Sequence, residues 1–336
     1  MAGAPYWGAS ATAASSTFMG IFKLIVRRVL LGVVTLLVVS FAVFALTNLL
    51  GDPVHRMLGR GALPEVVKAK RAELGLDRPF FTRYFEWLKG LMTGDPGNSF
   101  SNGSPVMDIV GDRIKNSLFL MFVASMVSIP LSLFIGARAA LRRDKTFDRV
   151  TSNQMLIFAA MPEFVVGAFL TVLLATNVWH VFPATSRIRP GQPPWSDWKG
   201  VILPAITLTL AVTPHVSRTM RAAMIEVLES DYVEMARLKG LPERAVLWRH
   251  AFPNAVGPTL QVIALNIAYL AGGVVVVESL FNYRGIGIAL RDAIPVANAP
   301  VVQFIAMFIA TIYVVCNLLA DVGAILVTPR LRTRLQ

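Results

Sequence analysis

Uncharged apolar runs of membrane-crossing length set the first limit on what this chain can become. From Val29 to Leu50 no ionisable side chain occurs, and as a helix this segment reaches across the roughly 30 Å hydrocarbon core of a bilayer. Further runs lie at Ser117–Ala137, Met155–Trp179, Val201 to about Val216, Ala255–Val277 and Val301 to about Leu326, making six. The fourth is the shortest and carries Pro204 and Pro214; neighbouring helices can satisfy the backbone groups that proline frees. Lipid offers no hydrogen bonds, so each crossing segment must satisfy its own backbone. The expected fold class is an all-α integral membrane protein of about six transmembrane helices.

Charge placement gives the expected orientation. A net charge of +12 raises nucleic acid as a partner, but no aromatic-interleaved basic patch or zinc-finger spacing accompanies it, so none is expected. The basic residues flank the apolar runs instead, where their partner is membrane lipid. With six crossings, one side holds Lys23, Arg27 and Arg28, then Arg138, Arg142, Arg143, Lys145 and Arg149. The same side gains six basic residues between Arg218 and Arg249, and lastly Arg330, Arg332 and Arg334. The short loops of the other side hold Arg187, Arg189, Lys199, Arg284 and Arg291. Short basic loops stay cytoplasmic, which places both termini in the cytoplasm.

Residues Met1 to about Gly20 are rich in Ala, Ser and Gly and uncharged; they read as a disordered leader, with 21–336 forming one transmembrane domain. The exit of the first run, Asn48 to Asp52, lacks a small-residue cleavage site, so this run reads as a retained span. Residues 51–116 form an extracytoplasmic loop of nearly balanced charge. Within it, Pro79 opens a stretch that sets Phe80, Tyr84, Trp87, Leu88 and Leu91 on one helical face, suited to the membrane interface or to the tops of the spans. Ser104 followed by Pro105 predicts another short helix leading into the second run.

Reactive residues are sparse. The single cysteine, Cys316, lies in an apolar run and allows no intrachain disulfide. His55, His180, His215 and His250 are scattered without a second ligand at metal-binding spacing. There is no Gly-x-x-x-x-Gly-Lys-Ser/Thr cradle for ATP phosphates, and no Gly-x-Ser-x-Gly elbow or Ser/His pairing for an intramembrane protease. No catalytic residue, metal or cofactor is therefore expected in this chain. A secondary, ion-coupled transporter would normally show internal repeats and midplane ionisable groups. No repeat is visible, and Glu163 is the one clear mid-span acid. Beside Pro162, Glu163 is costly at that depth unless it faces a pathway or pairs with another helix. Together with Gln261 and Asn266 of the fifth run, it makes up the candidate translocation pathway.

The cytoplasmic loop 217–254 is the most structured connection. Asp231 with Glu234 three residues later is an Asp version of a capping box. Gly240 can take the left-handed conformation that ends this helix, Pro242 with Glu243 suits the first turn of the next, and Pro253 closes it. Leu238, Leu241, Val246, Leu247 and Trp248 are more apolar than a solvated connector requires, and such surface seeks a partner. On these grounds the partner is either the chain's own helix ends or a separate subunit.

Glu234-Met235-Ala236, followed by Gly240 and by Phe252-Pro253, resembles the Glu-Ala-Ala loop of permease subunits of binding-protein-dependent ABC importers. Asp231-Tyr232-Val233 and Asn254-Ala255 extend the likeness to the dipeptide, oligopeptide and nickel branch, as do Leu74-Gly75-Leu76-Asp77-Arg78-Pro79, Gly94-Asp95, Leu203-Pro204-Ala205, Glu278 with Phe281 and Gly285-Ile286-Gly287, and Asn317 with Asp321. The resemblance covers roughly Gly20 to Arg332. It departs at Met235, where a second Ala is usual, at Arg284, where proline often precedes the Gly-x-Gly, at Thr328, where Asp is common, and at Glu163, where a small or polar residue is frequent. It implies a type I ABC importer permease fold in a prokaryotic inner membrane, with peptides or a related small solute as cargo. The implied partners are a second, homologous permease, two ATPase subunits that bind ATP and Mg, and an extracytoplasmic substrate-binding protein. It also implies that Asp231, Glu234, Ala236, Gly240, Leu241 and Pro253 belong to the coupling loop that docks on the ATPase.

Overall fold

A computed structural model describes residues 8–49, 51–59 and 61–327, with side chains for residues 23, 25–49, 51–59 and 61–323. Among these residues the chain is helical: α1 (Gly8–Asn48), α2 (Pro53–Leu58), α3 (Pro64–Glu73), α4 (Phe80–Thr93), α5 (Val106–Leu141), α6 (Thr146–Ala160), α7 (Glu163–Thr171), α8 (Trp198–Leu228), α9 (Asp231–Leu238), α10 (Glu243–Ala245), α11 (Phe252–Leu280), α12 (Ile286–Ala293) and α13 (Ala299–Val327).

Helix α8 is the central member, packed against α5, α6, α7 and α11, while α1 touches chiefly α13 and α4. Of the most apolar stretch of α8, 72% is buried, against 11% for α1. This explains why the fourth run looks weak in sequence. A helix surrounded by protein need not be apolar on every face, and a hydroxyl on it can turn back to its own backbone, as when Thr207 Oγ1 donates to Leu203 O at 2.8 Å. α8 also extends well past the expected Val216, to Leu228, and carries both of its prolines inside the helix.

Contacts sort the connections onto two ends of the bundle. At one end, Gln303 Nε2 donates to Thr47 Oγ1 at 2.7 Å, Asn116 Nδ2 to Arg284 O at 2.7 Å and Ser186 N–H to Phe281 O at 3.0 Å. The segment 51–105 caps this end. There Tyr84 and Phe80 of α4 meet Phe41 and Phe44 of α1 edge to face at 5.2–6.1 Å, and the Tyr84 hydroxyl lies 2.9 Å from Ser40 Oγ. The aromatic face of α4 therefore lies on the tops of the spans. At the other end, Arg28 pairs with Asp321 at 3.1 Å, Arg143 pairs with Glu229, and the α9 hairpin projects.

Three expectations are corrected. The third run is not a straight span: α6 and the segment Glu163–Thr176 meet at 105°. Met161, forced out of helical geometry by the following proline, is extended (φ −90°, ψ 131°), and Pro162 takes the cap position of the next helix, α7. Among the described residues five helices are thus long and apolar enough to cross, and a sixth crossing arises if the bent pair counts as one. No separate helix precedes the second run, because Pro105 opens α5 itself, which continues unbroken to Leu141. Helix α1 begins at Gly8, within the stretch assigned to a disordered leader. Residues Met1–Trp7, together with Thr328, Arg330, Arg332 and Arg334, lie outside the described residues.

Candidate functional site

Helix α9 and the chain after it form a hairpin whose turn is fixed by backbone geometry. Gly240 has φ 76°; its N–H donates to Arg237 O at 2.9 Å and the Leu241 N–H to Ala236 O at 3.4 Å. This is the Schellman arrangement, in which a left-handed residue lets the last carbonyls of a helix be satisfied. Arg237 Nε donates across the turn to Glu243 Oε1 at 2.8 Å. Val233, Ala236 and Val246 are buried against Val227. The capping box is not made: Ser230 occupies the cap position and no side chain caps α9. Asp231 and Glu234 sit instead in its first turn, where negative charge complements the helix dipole.

The second arm also differs from expectation. Val246–Ala251 is a π-helical turn that runs directly into α11, and Pro253 stands within the first turn of α11. Proline lacks an N–H and its ring crowds the carbonyl four residues back. A widened turn relieves that conflict, so Pro253 does not close the arm. The helical path from Glu243 to Leu280 is continuous, and the hairpin is the leading end of a span. Apolar side chains cover its outer surface: Leu238 is 74% exposed, Trp248 61%, Met235 53% and Leu241 40%. The candidate residues Asp231, Glu234, Ala236, Gly240 and Leu241 lie on one hairpin, with Ala236 in its small core and Pro253 at its base.

The candidate pathway residues are placed less uniformly. Glu163 opens α7 at the bend, and Tyr269 donates its hydroxyl to Glu163 Oε2 at 2.6 Å. Asn266, one turn before Tyr269 on α11, is buried and donates Nδ2 to Val262 O at 2.8 Å. Both Asn266 and Tyr269 line a cleft of about 980 Å³ between α6, α8 and α11, along with Ser152, Asn153, His215 and Arg218. Gln261 is exposed and outside that lining. Sequence reasoning missed Tyr269, His215 and Arg218. Tyr269 lies one helical turn from Asn266, which is the signal that could have found it.

Two buried polar knots brace the bundle. At the capped end, Glu278 is fully buried; Ser117 Oγ donates to its Oε1 at 2.5 Å and the Gly287 N–H to its Oε2 at 2.7 Å. Ser117 Oγ in turn accepts the Ile286 N–H at 2.9 Å. A Cβ at Gly285 would stand 2.0 Å from Glu278 Oε1, so the backbone reaches this carboxylate only because residue 285 is glycine. At the hairpin end, Arg221 of α8 grips Asp148 of α6 with two bonds of 2.6 Å. Nothing in the local sequence pairs these residues, which are far apart in the chain.

Residues 128–333 match the family of binding-protein-dependent transport system inner membrane components, and residues 21–121 match the N-terminal part of membrane components of such systems. A polytopic helical bundle with these matches is a transport permease. The chain belongs to the family of binding-protein-dependent transport system inner membrane components, as a permease subunit of an ABC importer, and the ion-coupled alternative finds no support. A Sinorhizobium fredii protein named as a peptide ABC transporter permease is 33% identical over 94% of this chain and 100% of its own length. A Brucella abortus protein named as a peptide transport system permease is 35% identical over 92% and 98%. The glutathione transport system permease GsiC of Shigella flexneri is 29% identical over 92% and 98%.

Proposed function

We propose that this permease carries peptides or a related small solute inward, with the α9 hairpin at the cytoplasmic end and the segment 51–105 outside. The observation that carries the coupling role is an exposed apolar ridge (Met235, Leu238, Leu241, Trp248) on an arm helically continuous with α11. A surface of this kind needs a partner, and a continuous helix passes displacement of that partner into the membrane without a slack joint. The partners in this reading are two ATPase subunits, which hold ATP and Mg and close beneath the hairpins, a second permease that completes the pathway, and a binding protein that delivers cargo outside. Closure and reopening swing the pathway between outward and inward access as a rigid-body change. The orientation rests on basic residues in the connections at the hairpin end, following the positive-inside rule. Peptide cargo is supported by the names of the Sinorhizobium fredii and Brucella abortus relatives, each above 30% identity.

The test is a photo-crosslinking residue in place of Leu238 in the assembled transporter, combined with uptake of labelled di- and oligopeptides. Crosslinks to an ATPase subunit and ATP-dependent uptake are expected. Crosslinks confined to the permease itself would refute the docking role, and absence of peptide uptake would refute the cargo.

A further inference from the structure

A cavity of about 680 Å³ opens in the capped end, between the outer end of α1, the chain running from α3 into α4, and the start of α13. Its ionisable lining is almost self-sufficient. Arg71 pairs with Asp52 and Asp77, Arg78 with Glu86, and Glu73 with Lys70; Asp95 accepts the Gly97 N–H at 3.0 Å. Arg83 is the exception. Its Nη2 donates to a neutral acceptor, Asn48 Oδ1, at 2.8 Å, and it forms no ion pair among the described residues. Its Nε is buried without a hydrogen-bond partner, and so is the indole Nε1 of Trp87, one turn further along α4. Arg83 and Trp87 line the same cavity and both flank the Phe44 ring, at 5.9 and 5.5 Å. Burial, and then the nearby Arg71, hold the Arg83 guanidinium below its usual pKa.

Buried donors without acceptors are rare, because each forfeits the hydrogen bonds it would make in water. Two of them on one face of one helix, beside one cavity, call for a shared acceptor that this chain does not supply. That acceptor is an anion, since one donor belongs to an unpaired guanidinium on a half-buried side chain. The acids in the lining decide which anion. Asp52, Glu73, Glu86 and Asp95 repel a second negative charge, which disfavours a dianionic phosphate. A single carboxylate fits, with one oxygen for each donor. The central helix α8 contributes nothing to this lining, so the site stands apart from the cleft between α6, α8 and α11. We infer that the cavity is a carboxylate-binding site of the capped end, with Arg83 neutralising the carboxylate and Trp87 donating its indole N–H to it. The inference goes beyond the permease reading and requires no particular cargo or direction of transport.

Such a carboxylate comes either from a small solute or from an acidic side chain of a partner protein seated on the cap, and the experiment separates the two sources. Phenylglyoxal modification of individual arginines is followed by peptide mass spectrometry in the complete reconstituted complex, with Arg244, exposed on the hairpin, as internal reference. In the first arm the probes are N-acetyl-trialanine, its amide and inorganic phosphate, without binding protein. In the second, cargo-free binding protein alone is added. Saturating N-acetyl-trialanine or the binding protein should slow modification of Arg83 about tenfold relative to Arg244, whereas the amide and phosphate should not. Protection in the first arm assigns the carboxylate to a solute, and protection confined to the second assigns it to the partner; either supports the site. Trp87→Phe keeps the ring and should raise the half-protecting concentration about tenfold, through loss of one hydrogen bond to a charged group. No protection in either arm, equal protection by the amide or by phosphate, or an unchanged half-protecting concentration in Trp87→Phe would overturn the inference. So would an Arg83 that fails to react in the free complex, because an open site exposes its guanidinium. None of these results bears on transport, which peptide uptake by the same complex reads separately.

Discussion

Replacing Gly240 tests whether the hairpin turn is a mechanical part. A Cβ at this position would meet nothing within 4 Å, so no clash contributes and the cost is backbone strain at φ 76°. For an unbranched side chain that strain is about 1–2 kcal/mol. A β-branched one in the same region reaches about 2–3 kcal/mol. Against this stand the small core of Val233, Ala236 and Val246, buried to 0%, 6% and 0% exposure, and the Arg237–Glu243 contact at 2.8 Å. Gly240→Ala should therefore shift the hairpin equilibrium by roughly tenfold, and Gly240→Val by roughly a hundredfold. Gly240→Asn, whose side chain tolerates the left-handed region, should stay near the parent. The assay is copurification of the ATPase subunits and cargo-stimulated ATP hydrolysis in reconstituted complexes. Coupling should fall in the order Gly, Asn, Ala, Val, while the spans still insert. Normal stimulation in Gly240→Val, or loss in Gly240→Asn equal to that in Gly240→Val, would refute the conformational argument.

Other expectations concern the rest of the frame. Single cysteines at Lys68 and Arg244, both exposed, placed in a Cys316→Ser background, should label with an impermeant thiol reagent from outside and inside respectively; the reverse pattern would invert the topology. Asp148→Asn leaves Arg221 without its charge partner and should cost about 2–3 kcal/mol, below the ~3–5 of a fully buried pair because Arg221 is partly exposed. Its thermal unfolding should move downward, and the double variant Asp148→Leu/Arg221→Met should recover most of the loss. Gly285→Ala should lower the thermal stability of the assembled complex by an overpacking cost of about 1–3 kcal/mol, since its Cβ meets the Glu278 carboxylate at 2.0 Å; an unchanged midpoint would show that the carboxylate moves freely.

Much of the hairpin was legible because its chemistry is local. The left-handed role of Gly240 follows from its place between two helix-forming stretches. The acids Asp231 and Glu234 announce a helix start, although Ser230 takes the cap position. Pro253 was misread because a proline normally ends a helix, and whether a widened turn absorbs it depends on how the arm packs on α8 and α11. Glu163 was visible as an acid in an apolar run, whereas its partner Tyr269, more than a hundred residues later, was not.

The sequence by itself determined the class of structure. Apolar length and the need to satisfy backbone groups in lipid leave only crossing helices, and basic residues between them set an expected orientation, because both signals are properties of short segments. Tertiary structure decided which crossing is central, that the third run bends by 105° at Pro162, and which charges remain unpaired. α8 is the core helix and α1 a peripheral one despite the stronger apolar run of α1, because centrality depends on neighbours that composition does not name. Asp148 meets Arg221, and Ser117 meets Glu278, across long loops of chain. Arg218, close to Arg221 in sequence, finds no such acid, and only the packing of α6, α8 and α11 opens a cleft in front of it.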